Sequence, residues 1–282
     1  MKSNNFCVIG HPLGHTMSPF IHSKLFELSG KSAEYSARDI EPDTLGEAFD
    51  ELKNLVGFNV TIPFKQQIIP LLDRLDGSAE LCGAVNTVCT GDENVGYNTD
   101  MGGFEGALKR AGISLSGKVL LCGTGGAARA VSYCALKAGC ELTLAVIDRK
   151  QAEELCDDIS AKFGGYRPEI IGYDEIKQSY DLAVNATPVG MYPKTGVSVL
   201  TEEQIKRCNA VYDLVYNPRE TELIRIARKN GIKCDSGMSM LVIQAAKAHE
   251  IWYNAKFTDE QIGEIIDAAT KETERIFMGG EK

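Results

Sequence analysis

The chain has 282 residues, 44% hydrophobic and 24% charged, enough for two modest domains with separate cores and a balance that excludes disordered and fibrous classes. A formal charge of −9 works against attraction to nucleic-acid backbones or anionic lipid, both of which need clustered lysine and arginine, so no nucleic-acid or membrane partner is expected. No apolar run reaches the roughly 18 residues of a spanning helix; the longest, 130–147, is broken by Lys137 and Glu141.

The N-terminus enters the strand-like Phe6-Cys7-Val8-Ile9-Gly10 without a basic region, apolar stretch and cleavage site in series, so a cytoplasmic protein is expected. Residues 19–29 read as helix, 34–38 as strand, 45–52 as helix, 57–62 as strand and 66–72 as helix, an alternation that predicts an α/β domain around a small open sheet. A helical pattern through Phe104, Leu108 and Ala111 stops at Gly112, and a strongly apolar strand follows over 118–122. Then come a glycine turn, helix 127–138, strand 141–147, helix 151–163, and strands 182–185 and 210–214. Apolar strands without alternation are what a parallel sheet buried on both faces requires. The fold class is α/β: an N-terminal α/β domain over 1–101, then a Rossmann-type, doubly wound parallel-sheet nucleotide-binding domain over 102–237. From Gly237 onward the pattern is helical, and Thr258-Asp259-Glu260-Gln261 has the form of a capping box opening a final helix. No strand follows, so these helices are expected to pack back across both domains.

The nine cysteines are odd in number, include no Cys-x-x-Cys pair and place Cys122 and Cys134 inside apolar runs; they read as buried small hydrophobes. With only four histidines, no metal is expected.

Gly123-Thr124-Gly125-Gly126-Ala127-Ala128-Arg129 follows a strand and opens a helix. Glycines there permit a tight turn and let backbone N–H groups approach a pyrophosphate at the positive helix end. This predicts dinucleotide binding through Gly123, Gly125, Gly126 and Ala127. The next strand ends in Ala145-Val146-Ile147-Asp148-Arg149-Lys150. Asp148 suits the ribose hydroxyls of NAD, while Arg149 and Lys150 suit the phosphate of NADP, and a solvated turn is a third reading of the same residues.

Alternation puts Asn59 and Thr61 of Asn59-Val60-Thr61-Ile62-Pro63-Phe64-Lys65 on one face of a strand end, where Pro63 stops the ladder and frames a turn presenting Lys65. Gly83-Ala84-Val85-Asn86-Thr87 and Gly96-Tyr97-Asn98-Thr99-Asp100 follow. Polar side chains clustered at glycine-flanked strand ends are costly for a core and natural for a pocket. Taken singly, Lys65 reads as a surface cation and Asp100 as a turn cap.

These segments, taken with Gly10-His11-Pro12-Leu13-Gly14-His15-Thr16-Met17-Ser18-Pro19, Asn185-Ala186-Thr187-Pro188-Val189-Gly190-Met191, Asp213-Leu214-Val215-Tyr216-Asn217-Pro218 and Gly237-Met238-Ser239-Met240-Leu241-Val242-Ile243-Gln244-Ala245, resemble the shikimate dehydrogenase family, in the same order and over nearly the whole chain. The resemblance implies an N-terminal substrate-binding domain completed by helices 238–282, a central domain for NADP or NAD, and reversible reduction of 3-dehydroshikimate to shikimate in aromatic amino acid biosynthesis, by a monomer or homodimer. It implies Lys65 and Asp100 as the catalytic pair, Thr16 and Ser18 for the substrate carboxylate, and Asn59, Thr61, Asn86, Asp100 and Gln244 for ring hydroxyls. Tyr216 also faces substrate, and Ala186, Thr187, Pro188, Met191 and Gly237 line the nicotinamide pocket. The chemistry fits: oxidising an alcohol by hydride loss needs a base within reach of its oxygen, and reduction needs an acid there.

Three departures from the family pattern stand out. Thr16 replaces the usual serine. Val146-Ile147-Asp148 occupies the place of the Asn-Arg-Ser/Thr cluster of NADP-using members, which removes the fork that best matches a phosphate and favours NAD. His249 stands where an aromatic or apolar residue is usual, and is expected on a helix surface or hydrogen-bonded. A quinate/shikimate dehydrogenase, taking a saturated ring with one more hydroxyl, is the nearest alternative. A non-catalytic ligand-sensing relative is the alternative of another class; the joint presence of Lys65 and Asp100 favours an enzyme.

Overall fold

A computed structural model describes residues 5–14 and 16–278; His15 of the first motif lies outside the described residues. The chain divides into two units. Unit 1 runs to Gly103 and takes in Val242–Lys271, and unit 2 comprises Phe104–Leu241 and the residues from Glu272 onward.

Unit 1 is built on β1 (Asn5–Gly10), α1 (Ser18–Leu28), β2 (Glu34–Asp39), α2 (Leu45–Leu52), β3 (Gly57–Val60), α3 (Phe64–Gln67), β4 (Arg74–Leu75), α4 (Gly77–Cys82), β5 (Thr87–Cys89) and β6 (Val95–Tyr97). The sheet order is β2-β1-β3-β5-β6-β4, with β1 parallel to both neighbours and β5 antiparallel to both of its own. Successive side chains of β1 point to opposite faces, and both faces are covered, which explains why its residues 6–9 are all apolar. Cys7 and Ile9 join a core with Phe49, Leu52, Phe58 and Phe64, while Phe6, on the other face, packs with Phe26, Ala248 and Trp252.

The expected strand over 57–62 ends at Val60, because the chain turns at the Ile62–Pro63 peptide and Phe64 N–H bonds back to the Thr61 carbonyl. The expected helix over 66–72 starts earlier, at Phe64, and is split into α3 and a 3₁₀ turn, Ile69–Leu71, since Pro70 has no N–H to continue the ladder. Strands β4, β5 and β6 went unforeseen: two or three residues are too few to display a period.

Unit 2 holds the greater part of α5 (Asp100–Ala111), then β7 (Lys118–Cys122), α6 (Gly126–Lys137), β8 (Glu141–Ala145), α7 (Arg149–Lys162), β9 (Glu169–Ile171), β10 (Tyr180–Asn185), α8 (Glu202–Ile205), β11 (Cys208–Asp213), α9 (Glu222–Lys229) and β12 (Lys233–Ser236). Its strands are parallel in the order β12-β11-β10-β7-β8-β9. That is the doubly wound Rossmann order, whose direction reverses between β7 and β10. The unforeseen strands β9 and β12 are the two edges, only partly buried: β9 has three residues, too few to display a period, and β12 is mostly polar in sequence. β8 stops at Ala145 rather than 147: Ile147 is 92% exposed, and Asp148 already caps α7.

Two further helices, α10 (Met238–Tyr253) and α11 (Asp259–Met278), follow. At α11 the capping box forms as read: Gln261 N–H donates to Thr258 Oγ1 and Thr258 N–H to Gln261 Oε1. All cysteines except Cys89 and Cys234 are buried, and burial pushes the Cys7 thiol up to about 12; these are packing residues. Among the described residues no helix is long and apolar enough to cross a membrane.

Candidate functional site

In unit 1 the ends of β3, β5 and β6 and the first turns of α3 and α5 bring a polar cluster together. Lys65 is the second residue of α3, and its carbonyl is fixed by Val85 N–H at 2.7 Å. Asp100 opens α5, where the helix end favours negative charge. Lys65 Nζ donates to Asp100 Oδ2 at 2.6 Å, with side-chain exposures of 16% and 9%. The pair is therefore shielded yet reachable. The other carboxylate oxygen, Oδ1, accepts from Asn86 Nδ2 at 2.8 Å, and Asp100 N–H donates to Asn98 Oδ1. An ammonium has three donors, so two of the directions at Lys65 Nζ remain for an incoming oxygen.

Asn86 is the hub. Its Oδ1 accepts from Thr99 N–H at 2.8 Å, and its Nδ2 also reaches Thr99 Oγ1 and Gln244 Oε1. Asn59 is locked just as fully: Nδ2 donates to the Asn86 carbonyl and to Thr87 Oγ1, and Oδ1 accepts from the Tyr35 hydroxyl at 2.6 Å. Desolvation holds the Tyr35 phenol well above its ordinary range, so it stays a donor. Thr61 N–H bonds to the Ile9 carbonyl. Thr16 and Ser18 sit at the N-terminus of α1, Oγ1 to Oγ 3.2 Å apart, a position suited to a carboxylate.

Reading the sequence missed Tyr35, which fixes the face Asn59 presents; nothing in Glu34-Tyr35-Ser36 marks it. His249 meets the expectation in part: it is hydrogen-bonded through Nε2, but it does not lie on a helix surface. It is fully buried on α10, among Phe26, Trp252, Tyr253 and Phe257. Nε2 lies 3.0 Å from His22 Nδ1, whereas Nδ1 has no partner. An aromatic neighbourhood explains the burial, and desolvation lowers this imidazole to about 3. His22 stacks on Tyr35 at 4.0 Å.

In unit 2 the carboxyl edge of the sheet carries the glycine turn. Gly123 has φ +103, and a Cβ there would press on Thr187 and Ala186, while a Cβ at Gly125 would project into open space over the start of α6. A turn without side chains, beside open space and the unpaired N–H groups of a helix end, fits a pyrophosphate. Gly126 and Ala127 are the first residues of α6.

The segment carrying Ala186, Thr187, Pro188 and Met191 follows β10. Ala186 N–H bonds to the Cys122 carbonyl at the end of β7, and Asn185 Oδ1 accepts both Thr187 N–H and its hydroxyl. Gly237 closes against the strand β11 exit, where a Cβ would overlap the Leu214 carbonyl. Tyr216 is half-buried and its phenol is raised by desolvation.

At the end of β8, Asp148 Oδ1 accepts from Lys150 and Gln151 N–H. Arg149 turns away to Glu175 Oε2 at 2.7 Å and the Ile170 carbonyl. Beside them lies an open depression of about 640 Å³ lined by Val146, Ile147, Arg149, Tyr173, Asp174 and Glu175.

Residues 8–88 match the shikimate dehydrogenase substrate binding domain family. The chain is 38% identical over 270 residues to a shikimate dehydrogenase (NADP(+)) of Caldanaerobacter subterraneus subsp. tengcongensis, covering 93% of this chain and 95% of that protein. Its structure is similar to shikimate 5-dehydrogenase from Thermus thermophilus in complex with NADP(H) and shikimate, with TM-score 0.85, 33% identity and coverage of 94% and 99% of the two chains. It is also similar to shikimate 5-dehydrogenase from Listeria monocytogenes in complex with shikimate and NAD, with TM-score 0.84, 32% identity and coverage of 94% and 96%.

Proposed function

The chain belongs to the shikimate dehydrogenase family, and from that premise we propose that it interconverts 3-dehydroshikimate and shikimate with a nicotinamide dinucleotide, unit 1 holding the ring acid and unit 2 the dinucleotide. The observation that carries the reading is the 2.6 Å contact between Lys65 and Asp100, braced by Asn86.

When bound, the nicotinamide supplies the hydride acceptor for oxidation and the donor for reduction. In the oxidising direction Lys65 Nζ, unprotonated, takes the hydroxyl proton, so positive charge does not build on the carbon losing its hydrogen; in reduction the ammonium returns that proton to the carbonyl oxygen. Asp100 orients the amine and accepts from a ring hydroxyl. Asn59, Thr61, Asn86 and Gln244 present amide and hydroxyl groups to the ring. Thr16 and Ser18 take the ring carboxylate, and Tyr216 faces the substrate.

The dinucleotide preferred is NAD. Ile147 replaces a phosphate-binding fork, and the nearest guanidinium, Arg149, is engaged by Glu175, with Asp148 and Asp174 adding negative charge where a 2′-phosphate would have to sit. Gly123, Gly125, Gly126 and Ala127 hold the pyrophosphate, Asp148 and Arg149 border the ribose, and Ala186, Thr187, Pro188, Met191 and Gly237 line the nicotinamide.

Initial rates of shikimate oxidation with NAD and with NADP, followed by reduced-nicotinamide absorbance, test both levels. Absence of turnover with either dinucleotide rejects the activity, and a larger kcat/KM with NADP rejects the preference.

A further inference from the structure

Asp213, the last residue of β11, is completely enclosed, with 0% exposure. Desolvation pushes its carboxyl up to about 6, the mark of a charge that costs the fold energy. What offsets that cost is three donors from three separate segments. Asn185 Nδ2 and Val215 N–H donate to Oδ1 at 2.9 and 3.0 Å, and the Thr221 hydroxyl donates to Oδ2 at 2.6 Å.

Each donor leads to a loop at the carboxyl edge of the sheet. Asn185 grips the segment after β10 at three further points, through Thr187 N–H, the Thr187 hydroxyl and the Val189 carbonyl. Val215 precedes Tyr216, and its carbonyl accepts Gly237 N–H. Thr221 caps α9. Among the described residues, no hydrogen bond links Asp213 to the glycine turn or to the end of β8. In a doubly wound sheet, ligands lie outside the carboxyl ends of the strands at the point where the order reverses, here between β7 and β10.

We propose that Asp213 is a positioning residue that shapes segments 186–191 and 214–216 for the nicotinamide end of the dinucleotide, while the adenosine end is held independently of it. The proposal rests on unit 2 binding a dinucleotide. Cutting the carboxylate out then weakens the whole dinucleotide and spares a fragment lacking nicotinamide.

The test is equilibrium binding by calorimetry of NADH and of ADP-ribose to wild type, Asp213→Asn, Asp213→Ala and Asn185→Ser. If wild type prefers the phosphorylated cofactor, NADPH and 2′-phospho-ADP-ribose replace them. Asp213→Ala is expected to weaken NADH roughly tenfold or more, as loss of charge-assisted hydrogen bonds does, and to leave ADP-ribose within about twofold. Asp213→Asn should restore NADH affinity to within about threefold, because its oxygen can serve Asn185 and Val215 while the Thr221 hydroxyl accepts from the new amide. Asn185→Ser, which severs the link to the 186–191 segment and leaves Asp213 two donors, should reproduce the alanine pattern and keeps the test open if Asp213→Ala does not fold. Equal weakening of both probes would mean a general structural role and overturn the proposal, as would no change in either. A wild type that binds neither probe overturns the dinucleotide reading and this proposal with it.

Discussion

Lys65 and Asp100 meet at 2.6 Å because two helix starts are pinned to the same loop: Val85 N–H holds the Lys65 carbonyl, and the Asn86 amide holds the Asp100 carboxylate. One backbone hydrogen bond and one side-chain amide thus place the two members of the dyad beside each other.

Lys65→Met removes the proton carrier and leaves Asp100 its Asn86 contact. The fold should persist, by circular dichroism, while kcat/KM for shikimate falls roughly 10²–10⁴-fold, the usual size of a general acid–base contribution. A fall of less than about tenfold takes Lys65 out of the chemistry.

Thr16→Val combined with Ser18→Ala strips the hydroxyls at the start of α1. Hydrogen bonds to a charged ligand made equally in ground and transition states alter KM alone. The shikimate KM should rise on the order of tenfold with kcat nearly unchanged. A drop in kcat with KM constant contradicts the carboxylate assignment.

Ile147→Arg places a guanidinium at an exposed position next to the Arg149–Glu175 pair. The ratio of kcat/KM for NADP to that for NAD should rise by about tenfold, the worth of one charge-assisted contact. Glu175→Gln, which frees Arg149 from an exposed ion pair, should move the ratio the same way by only about two- to fivefold. Ratios that stay fixed in both variants mean the phosphate is met elsewhere.

His249 is held near 3 in the fold by desolvation, whereas in the unfolded chain an imidazole protonates near ~6.5. The folded value is the lower one, so the stability contributed by keeping this ring neutral is present above about pH 6.5 and is lost as pH falls toward 3. His249→Phe removes that loss and the unpartnered Nδ1, at the expense of the contact to His22 Nδ1. Acid titration of ellipticity should show the variant unfolding at lower pH than wild type, with remaining acid sensitivity from His22, also held low by burial. Coincident acid transitions reject the assignment.

The central strands were legible because both their faces are buried: 119–122 and 182–184 are continuous apolar runs, and β7 and β10 are adjacent in mid-sheet. The edges were not, since β12 reads Lys233-Cys234-Asp235-Ser236 and half of it meets water. Ile147 misled in the other direction, an apolar residue that extends a strand pattern yet stands 92% exposed. In the candidate site, Lys65 and Asp100 gained meaning only from the ordered motif series, for each is ordinary on its own. Tyr35 and Asp213 work through partners 24 and 28 positions away, and local pattern carries no trace of such pairings.

Unit 1 takes its residues from both sides of unit 2, and this has a consequence for how the chain is made. Trp252 packs on Phe6 at 4.6 Å and donates to the Val88 carbonyl, and Gln244 accepts from Thr99. Neither Trp252 nor Gln244 exists while a ribosome is adding residues 104–241. At about 5–20 residues per second, that interval lasts on the order of ten seconds. Through it Phe6 and Phe26 lack the Trp252 and Ala248 cover of the finished unit. The early part of unit 1 must therefore wait, half-dressed, for α10, and chaperones or the nascent chain itself have an apolar surface to attend to until that helix emerges.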